Sequence, residues 1–120
     1  MNGAESLNSR LAEAIARFAR EQMAVGAMVT SVDVHPESLV VTLRGATCPA
    51  ERNYAQDKQA SERLQVLYDK LFNAARPQIE STVADILGQP VRRSKMSIDP
   101  ESGDCVILFT LCALPAAGAK

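Results

Sequence analysis

The chain has 120 residues, of which 47% are hydrophobic and 22% charged, and its formal net charge at pH 7 is −1. This length and balance predict one globular domain with a full hydrophobic core and argue against a disordered chain. The near-neutral charge disfavours a nucleic-acid-binding protein, because such proteins neutralise phosphates with an excess of Lys and Arg. We therefore expect no nucleic-acid partner.

The sequence also argues against a membrane-embedded or secreted protein. It contains no apolar run approaching the ~20 residues that cross a bilayer. Its N-terminus lacks the apolar block and cleavage site of a secretory signal. The three cysteines show no close pairing, which is typical of a reducing compartment. We expect a cytoplasmic protein without direct membrane insertion.

The first third of the chain predicts one helix and a β-hairpin. Over residues 6–24, apolar residues recur at steps of three and four, as in an amphipathic helix; they are Leu7, Leu11, Ala14, Ile15, Phe18 and Met23. Gly26 is placed to end this helix. Two β-branched runs, 28–34 and 39–44, flank the turn "HPES", which predicts two antiparallel strands.

The rest of the chain repeats this order with a longer helix. Residues 49–87 are helical in pattern almost throughout, and Gly88 ends them. Their apolar residues form one continuous stripe: Leu64, Leu67, Tyr68, Leu71, Phe72, Ala75, Ile79, Val83, Ile86 and Leu87. A second hairpin follows, with strands at 91–98 and 105–111.

These elements predict an α+β fold of order α-β-β-α-β-β. We expect both helices on one face of a mostly antiparallel four-stranded sheet. Residues 1–112 would form the domain and residues 113–120 a flexible tail.

The predicted long helix does not fit the domain. An unbroken helix over 49–87 would extend ~58 Å, whereas a compact domain of this size is ~35 Å across. Pro77 removes a backbone donor and predicts a bend or break. Residues 50–63 carry almost no large apolar group, so we expect them to be solvated or to contact another subunit. A homo-oligomer, most simply a dimer, follows; its candidate contacts are Tyr54, Asp57, Lys58 and Arg63.

Cys48 is the first candidate for chemistry. If it is the N-cap residue of the long helix, Pro49 takes the first helical position and Glu51 the third, where its carboxylate can reach back. Thr47 is the alternative cap. A thiol at a helix N-terminus can be activated by the amide dipoles, so a reactive Cys48 is the competing interpretation. The capping role is favoured, since no histidine or resolving cysteine is nearby in sequence.

The remaining candidates favour structural roles. Cys105 and Cys112 lie an odd number of positions apart in the sequence. On a strand they would face opposite sides and could not share a metal without a bulge. His35, the only histidine, lies in a tight turn and is expected to be solvated. Phosphate-binding loops and zinc-protease motifs are absent from the sequence. We therefore expect no catalytic residues, no metal and no cofactor.

One basic cluster remains, formed by Arg92, Arg93 and Lys95 and joined by Arg44. On a strand, Arg93 and Lys95 face away from Met96 and Ile98. The cluster is either a solvated sheet face or a surface for an anion or an acidic partner.

The stretches "LVVTLRGATCPAERNYAQ" and "ARPQIESTVADILGQPVRRSKMSIDPESGDCVILFTL" resemble the MpsC-like family of small bacterial proteins. The markers are Leu43-Arg44-Gly45, Cys48-Pro49-Ala50-Glu51, Leu87-Gly88, and the strand from Val91 through Ser94 and Ser97. Two features depart from the family pattern: Cys48 replaces a capping threonine, and "LQVLYDKLF" lacks the arginine-rich run of many members.

The resemblance implies association with a sodium-translocating, membrane-potential-generating system, and it implies no catalytic residues or cofactor. The leading hypothesis is therefore a non-enzymatic, oligomeric accessory protein that serves an ion or inorganic-carbon transport system at the membrane. The alternative is a sensor of a small ligand or anion that binds on the sheet face or in a cleft between helix and sheet. A third hypothesis is an enzyme that uses Cys48.

Overall fold

The computed structural model describes residues 3–23 and 26–112, which form three helices and four strands. The helices are α1 (Gly3–Gln22), α2 (Pro49–Tyr54) and α3 (Lys58–Leu87). The strands are β1 (Met28–His35), β2 (Ser38–Arg44), β3 (Val91–Ile98) and β4 (Cys105–Leu111). The predicted α+β class and element order are confirmed. The tail expected at 113–120 lies outside the described residues.

The four strands form one antiparallel sheet in the order β1-β2-β4-β3. Each predicted hairpin is present, and the two hairpins meet through their second strands, where Val41 pairs with Ile107. Strands β1 and β3 are therefore the edges. A register shift lies near the start of each edge strand, between Val29 and Ser31 and between Val91 and Arg93.

The hydrophobic core lies between α1, α3 and one face of the sheet. Its strand residues alternate with exposed ones because side chains of a strand point to opposite faces in turn. Leu39, Val41 and Leu43 are buried on β2. Of the predicted α1 stripe, Leu11, Ile15, Phe18 and Met23 are buried. Leu7 and Ala14 are half-buried, and Ala19, which was not predicted, is buried.

The break in the long helical segment lies at residues 55–57, far from the predicted position. Helix α2 ends at Tyr54, and Asp57 is the N-cap of α3, where its Oδ2 accepts the Ala60 N–H at 3.0 Å. Ala55 and Ala60 are both buried. The expectation that residues 50–63 lie outside the core is therefore wrong at these two positions, because a small side chain can be buried where a large one is lacking.

Pro77 does not split the helix, since α3 runs from Lys58 to Leu87 with Pro77 inside it. A proline in a helix interior removes the hydrogen bond to the carbonyl four residues earlier, here that of Asn73. Both residues are exposed, so water can satisfy that carbonyl. Burial of Phe72 and Ile79 on either side holds the helix against the sheet. The molecule measures 54 Å along its longest axis. This length accommodates the 30 residues of α3, which extend ~45 Å as a helix.

The predicted apolar stripe of the long helix is divided by the structure. Leu64, Tyr68 and Phe72 are buried, whereas Leu67 and Leu71 are 49% and 37% exposed. The stripe spans a wider arc of the helix than the sheet and α1 cover. Packing, and not periodicity, therefore decides which of its members belong to the core.

Candidate functional site

Cys48 is the N-cap residue of α2, as predicted. Its backbone is extended, with φ −83° and ψ 165°, and Pro49 occupies the first helical position. The Cys48 N–H donates to Glu51 Oε1 at 2.9 Å, which is the reciprocal half of a capping box. Thr47, the alternative cap, is buried, and its hydroxyl donates to the Pro100 carbonyl at 3.3 Å.

The segment before Cys48 is held by the β3–β4 turn. The Ala46 N–H donates to the Gly103 carbonyl at 3.0 Å. Gly103 has φ +80°, and a Cβ at that position would lie 3.0 Å from Thr47 Oγ1. Glycine is required there because only it adopts this conformation without strain and leaves room for Thr47. The start of α2 is thus fixed by tertiary contacts as well as by its own capping.

Glu51 also connects α2 to α3, since the Tyr68 hydroxyl donates to Glu51 Oε2 at 2.7 Å. Burial alone would raise the pKa of the Glu51 carboxyl, but the hydrogen bonds from Tyr68 and from the Cys48 amide outweigh it, and the pKa is lowered. Burial and the adjacent Glu51 carboxylate raise the pKa of the Tyr68 hydroxyl. Glu51 is therefore an anion, and Tyr68 a neutral donor, at neutral pH.

Cys48, Glu51 and Tyr68 line a surface cavity of about 450 Å³ together with Leu67 and Leu71. The Cys48 thiol is exposed there. Of the described residues that line this cavity, none is a His, Lys or Arg that could activate the thiol. The arrangement therefore favours the capping role of Cys48 over a nucleophilic one.

We expect Cys48→Ser to keep the fold and to raise the free energy of unfolding by up to about 1 kcal/mol, because a hydroxyl accepts a capping hydrogen bond better than a thiol. Urea unfolding followed by circular dichroism measures the change. Cys48→Ala serves as the control that removes the polar atom. A serine variant less stable than the alanine variant would contradict the capping assignment.

Tyr68→Phe should lower the free energy of unfolding by about 1.5 kcal/mol at pH 7, the low end for a hydrogen bond to a charged group, since Glu51 is only half-buried. A carboxylate with a lowered folded pKa stabilises the protein above its unfolded pKa, and this contribution disappears as the pH falls through the folded pKa. The difference between wild type and variant should therefore shrink below about pH 4. A difference that stays constant from pH 7 to pH 3 would exclude Glu51 as the partner.

The other two cysteines and His35 differ in burial. Cys105 is buried in the core, and burial raises the pKa of its thiol to about 12. Cys112 follows β4, and its N–H donates to the Pro90 carbonyl at 2.9 Å. His35 ends β1 and is exposed. Among the described residues, no three His, Cys, Asp or Glu side chains cluster so that they could hold a metal ion.

The predicted basic cluster is only partly assembled. Arg93 and Lys95 lie on the exposed face of β3, where they pair with Thr110 and Leu108 of β4. Arg92 is exposed at the register shift of the same strand. Arg44 lies at the far end of β2, beside Asp99 and Asp104. The sheet register therefore keeps Arg44 away from the other three.

Arg93 and Lys95 instead share a groove of about 510 Å³ with helix α3. Arg76 contributes a third cation, and Asp69 an opposing charge. Glu80 lies 3.6 Å from Arg76 and accepts a hydrogen bond from the buried Ser94 at 2.6 Å. The groove is therefore built on a fixed helix–strand contact and carries a net positive charge. Its apolar lining comprises Phe72, Met96 and Leu108.

Neither the place of Arg76 in the groove nor the pairing of Glu51 with Tyr68 is visible in the sequence. Arg76 is separated from Arg93 by 17 positions and lies on another element, so no local pattern joins them. The one relevant sequence signal is the four-residue spacing of Arg76 and Glu80, which predicts a salt bridge on one helix face.

The four predicted oligomer contacts lie at the α2–α3 junction. Tyr54 is half-exposed, and its hydroxyl beside Arg63 raises the pKa of that guanidinium. Asp57 caps α3, and Lys58 is exposed in its first turn. Three of the four thus have contacts within the chain, and their role between subunits stays a prediction.

None of the helices in residues 3–23 and 26–112 combines the length and the apolar character that crossing a membrane requires.

No solved structure matches the chain. One curated relative is the uncharacterized protein YbcI of Bacillus subtilis (strain 168), which is 20% identical over 107 residues, covering 89% of this chain and 86% of the relative. The family model described as "Na+-translocating membrane potential-generating system (MpsC)" matches residues 4–113. The match spans every helix and strand except the first residue of α1, and the chain therefore belongs to the MpsC family.

Proposed function

We propose that this chain is a non-enzymatic, cytoplasmic accessory protein of a Na+-translocating, membrane-potential-generating system. The observation that carries the proposal is the family match over residues 4–113. In this proposal the chain acts by protein–protein contact and assembles with further copies of itself. The membrane partner would be an ion or inorganic-carbon transporter.

A deletion strain of the source bacterium tests this function directly. We expect loss of the chain to lower the Na+-dependent part of the membrane potential, measured with a potential-sensitive dye in Na+ and in K+ media. Re-expression of the wild-type chain should restore it. An unchanged Na+-dependent potential in the deletion strain would overturn the proposal.

The second candidate function is anion binding in the α3–β3 groove, favoured by the convergence of Arg76, Arg93 and Lys95 there. Arg93 and Lys95, with Arg76 beside them, outnumber the one acidic residue of the lining, Asp69, and suit a small anion. Since a ligand that binds only the folded state stabilises it by mass action, phosphate, bicarbonate or ATP should raise the Tm by several degrees relative to chloride.

A matched pair of double variants makes this second test specific. Arg93→Gln with Lys95→Gln removes two groove cations, whereas Lys58→Gln with Lys70→Gln removes two exposed charges that do not line the groove. The Tm rise should vanish only in the groove variant. An equal rise in both variants, or none with any anion in the wild type, would reject anion binding.

A further inference from the structure

The outer face of the sheet, meaning the strand side chains on the side opposite the hydrophobic core, is largely open to solvent. Its β3 edge borders the α3–β3 groove, which Lys95 and Leu108 also line. Val106 and Leu108 in its centre are 40% and 41% exposed, and Val40 beside them is half-buried. Contiguous exposed apolar side chains of this kind mark interaction surfaces.

Charge is distributed across this face in a self-complementary way. Residues paired across the strands give a row that runs Asp33, Val40, Leu108, Lys95 from one sheet edge to the other. Both charged residues are exposed. The row therefore has an acid at one end, a base at the other, and two apolar residues at its middle.

We infer that the outer face binds the outer face of a second copy of this chain, with a two-fold axis that runs parallel to the strands between the two sheets. This inference rests on the self-assembly part of the proposed function and assigns it a surface. The axis lies over the midpoint between Val40 and Leu108. It places Asp33 of each copy opposite Lys95 of the other and Val40 opposite Leu108.

The geometry of stacked sheets allows these contacts. Two sheets pack ~10 Å apart with strands inclined by about 30°, a gap that extended Lys and Asp side chains can together span. A two-fold axis across the strands would instead bring Asp33 over Asp33 and Lys95 over Lys95. Like charges held opposite each other oppose that arrangement, so the charges select the axis along the strands.

The neighbouring rows are compatible with this arrangement but add no further opposite-charge pair. One row is neutral and comprises Ser31, Thr42, Val106 and Ser97. The other comprises His35, Ser38, Thr110 and Arg93. The specificity of the dimer therefore depends on Asp33 and Lys95.

The size of the face indicates a weak dimer. Four strands ~4.8 Å apart with about six residues each give a flat footprint of about 400 Å² per copy. Side-chain relief increases the accessible area beyond this footprint, toward the ~1,200 Å² total at the lower end of specific interfaces. We expect dissociation in the micromolar range.

Sedimentation equilibrium of the full chain with charge-exchange variants tests the inference. Asp33→Lys and Lys95→Asp should each weaken the dimer by about tenfold or more, because each creates two like-charge contacts. The double variant, with both substitutions, should recover the wild-type Kd to within about threefold, since the pairs are restored in reverse. Lys70→Asp, an exposed charge on α3, is the control and should leave the Kd unchanged.

Several outcomes would overturn this surface. The first is a wild-type chain that stays monomeric at about 100 µM, well above a micromolar Kd. Another is a chain ending at Cys112 that dimerises when the full chain does not, which would make residues 113–120 the occupant. A third is a dimer broken by Arg63→Asp but not by Lys95→Asp, which would assign assembly to the α2–α3 junction.

The test separates this inference from the proposed function. In one outcome, the chain forms a dimer with the expected charge-exchange behaviour while its deletion leaves the membrane potential unchanged. That result would support the dimer and reject the proposed function. Alternatively, the full chain is a strict monomer, and the wild type and Lys95→Asp rescue a Na+-dependent defect equally. That result would support the proposed function and reject the dimer.

Discussion

Phe72→Ala is expected to lower the free energy of unfolding by about 3–5 kcal/mol, the range for removing a buried aromatic ring. Phe72 is 1% exposed, and its ring meets that of Phe18 edge to face, with centroids 6.1 Å apart. The substitution therefore removes the contact that joins α3 to α1 and leaves a cavity. Since domains of this kind have only ~5–15 kcal/mol of stability in total, the variant should be close to unfolding at 37 °C.

Leu71→Ala is the matched control, because it shortens the adjacent residue of the same helix. Leu71 is 37% exposed, so we expect a loss of about 1 kcal/mol or less. Urea unfolding at 25 °C gives both values by linear extrapolation. Similar losses for the two variants would mean that α3 is rotated relative to the structure described above.

Gln89→Leu should lower the free energy of unfolding by about 1–3 kcal/mol. Gln89 is nearly buried after α3, and its side-chain amide donates to the carbonyls of Pro36 and Cys112 at 2.7 Å each. It therefore ties the β1–β2 turn and the end of β4 to the end of α3. Leucine has a similar volume but removes two part-buried hydrogen bonds, each of which contributes about 0.5–1.5 kcal/mol.

Gln89→Glu distinguishes a hydrogen-bonding role from simple packing. At neutral pH its carboxylate would face two carbonyl oxygens, which disfavours the charged form and raises its folded pKa. A raised folded pKa destabilises the protein above the unfolded pKa, and the penalty is relieved as the pH falls. We expect this variant to be less stable than Gln89→Leu at pH 7 and to recover, relative to it, by pH 4. Parallel pH profiles for the two variants would contradict the two hydrogen bonds.

Sequence patterns identified the elements because the local signals were strong. Three- and four-residue spacing identified the helices, β-branched runs the strands, and the Cys48–Pro49–Glu51 spacing the start of α2. The break at residues 55–57 carried a signal too, in Asp57 as a helix cap, but Pro77 is a stronger breaker by propensity. Tertiary packing overrode that propensity because Pro77 lies on an exposed side of a helix held by buried neighbours.

The candidate surfaces were less accessible to sequence reasoning. Arg93 and Lys95 were identified because strand alternation determines the face on which they lie. Its positive charge groups Arg44 with them in the sequence. Only the register of β2 against β4 shows that Arg44 lies at the far end of the sheet. Arg76 entered the groove because α3 passes beside β3, a contact between elements that no local pattern contains.

The sequence by itself determined the α-β-β-α-β-β order, the face of β3 on which Arg93 and Lys95 lie and the cap at Cys48, because each depends on residues within one turn or one strand. The tertiary structure alone decided that Leu67 and Leu71 remain exposed, that Glu51 meets Tyr68, and that Asp33 and Lys95 share a row. These depend on how distant elements pack and pair, and a one-residue change in strand register would move every such side chain to the other face.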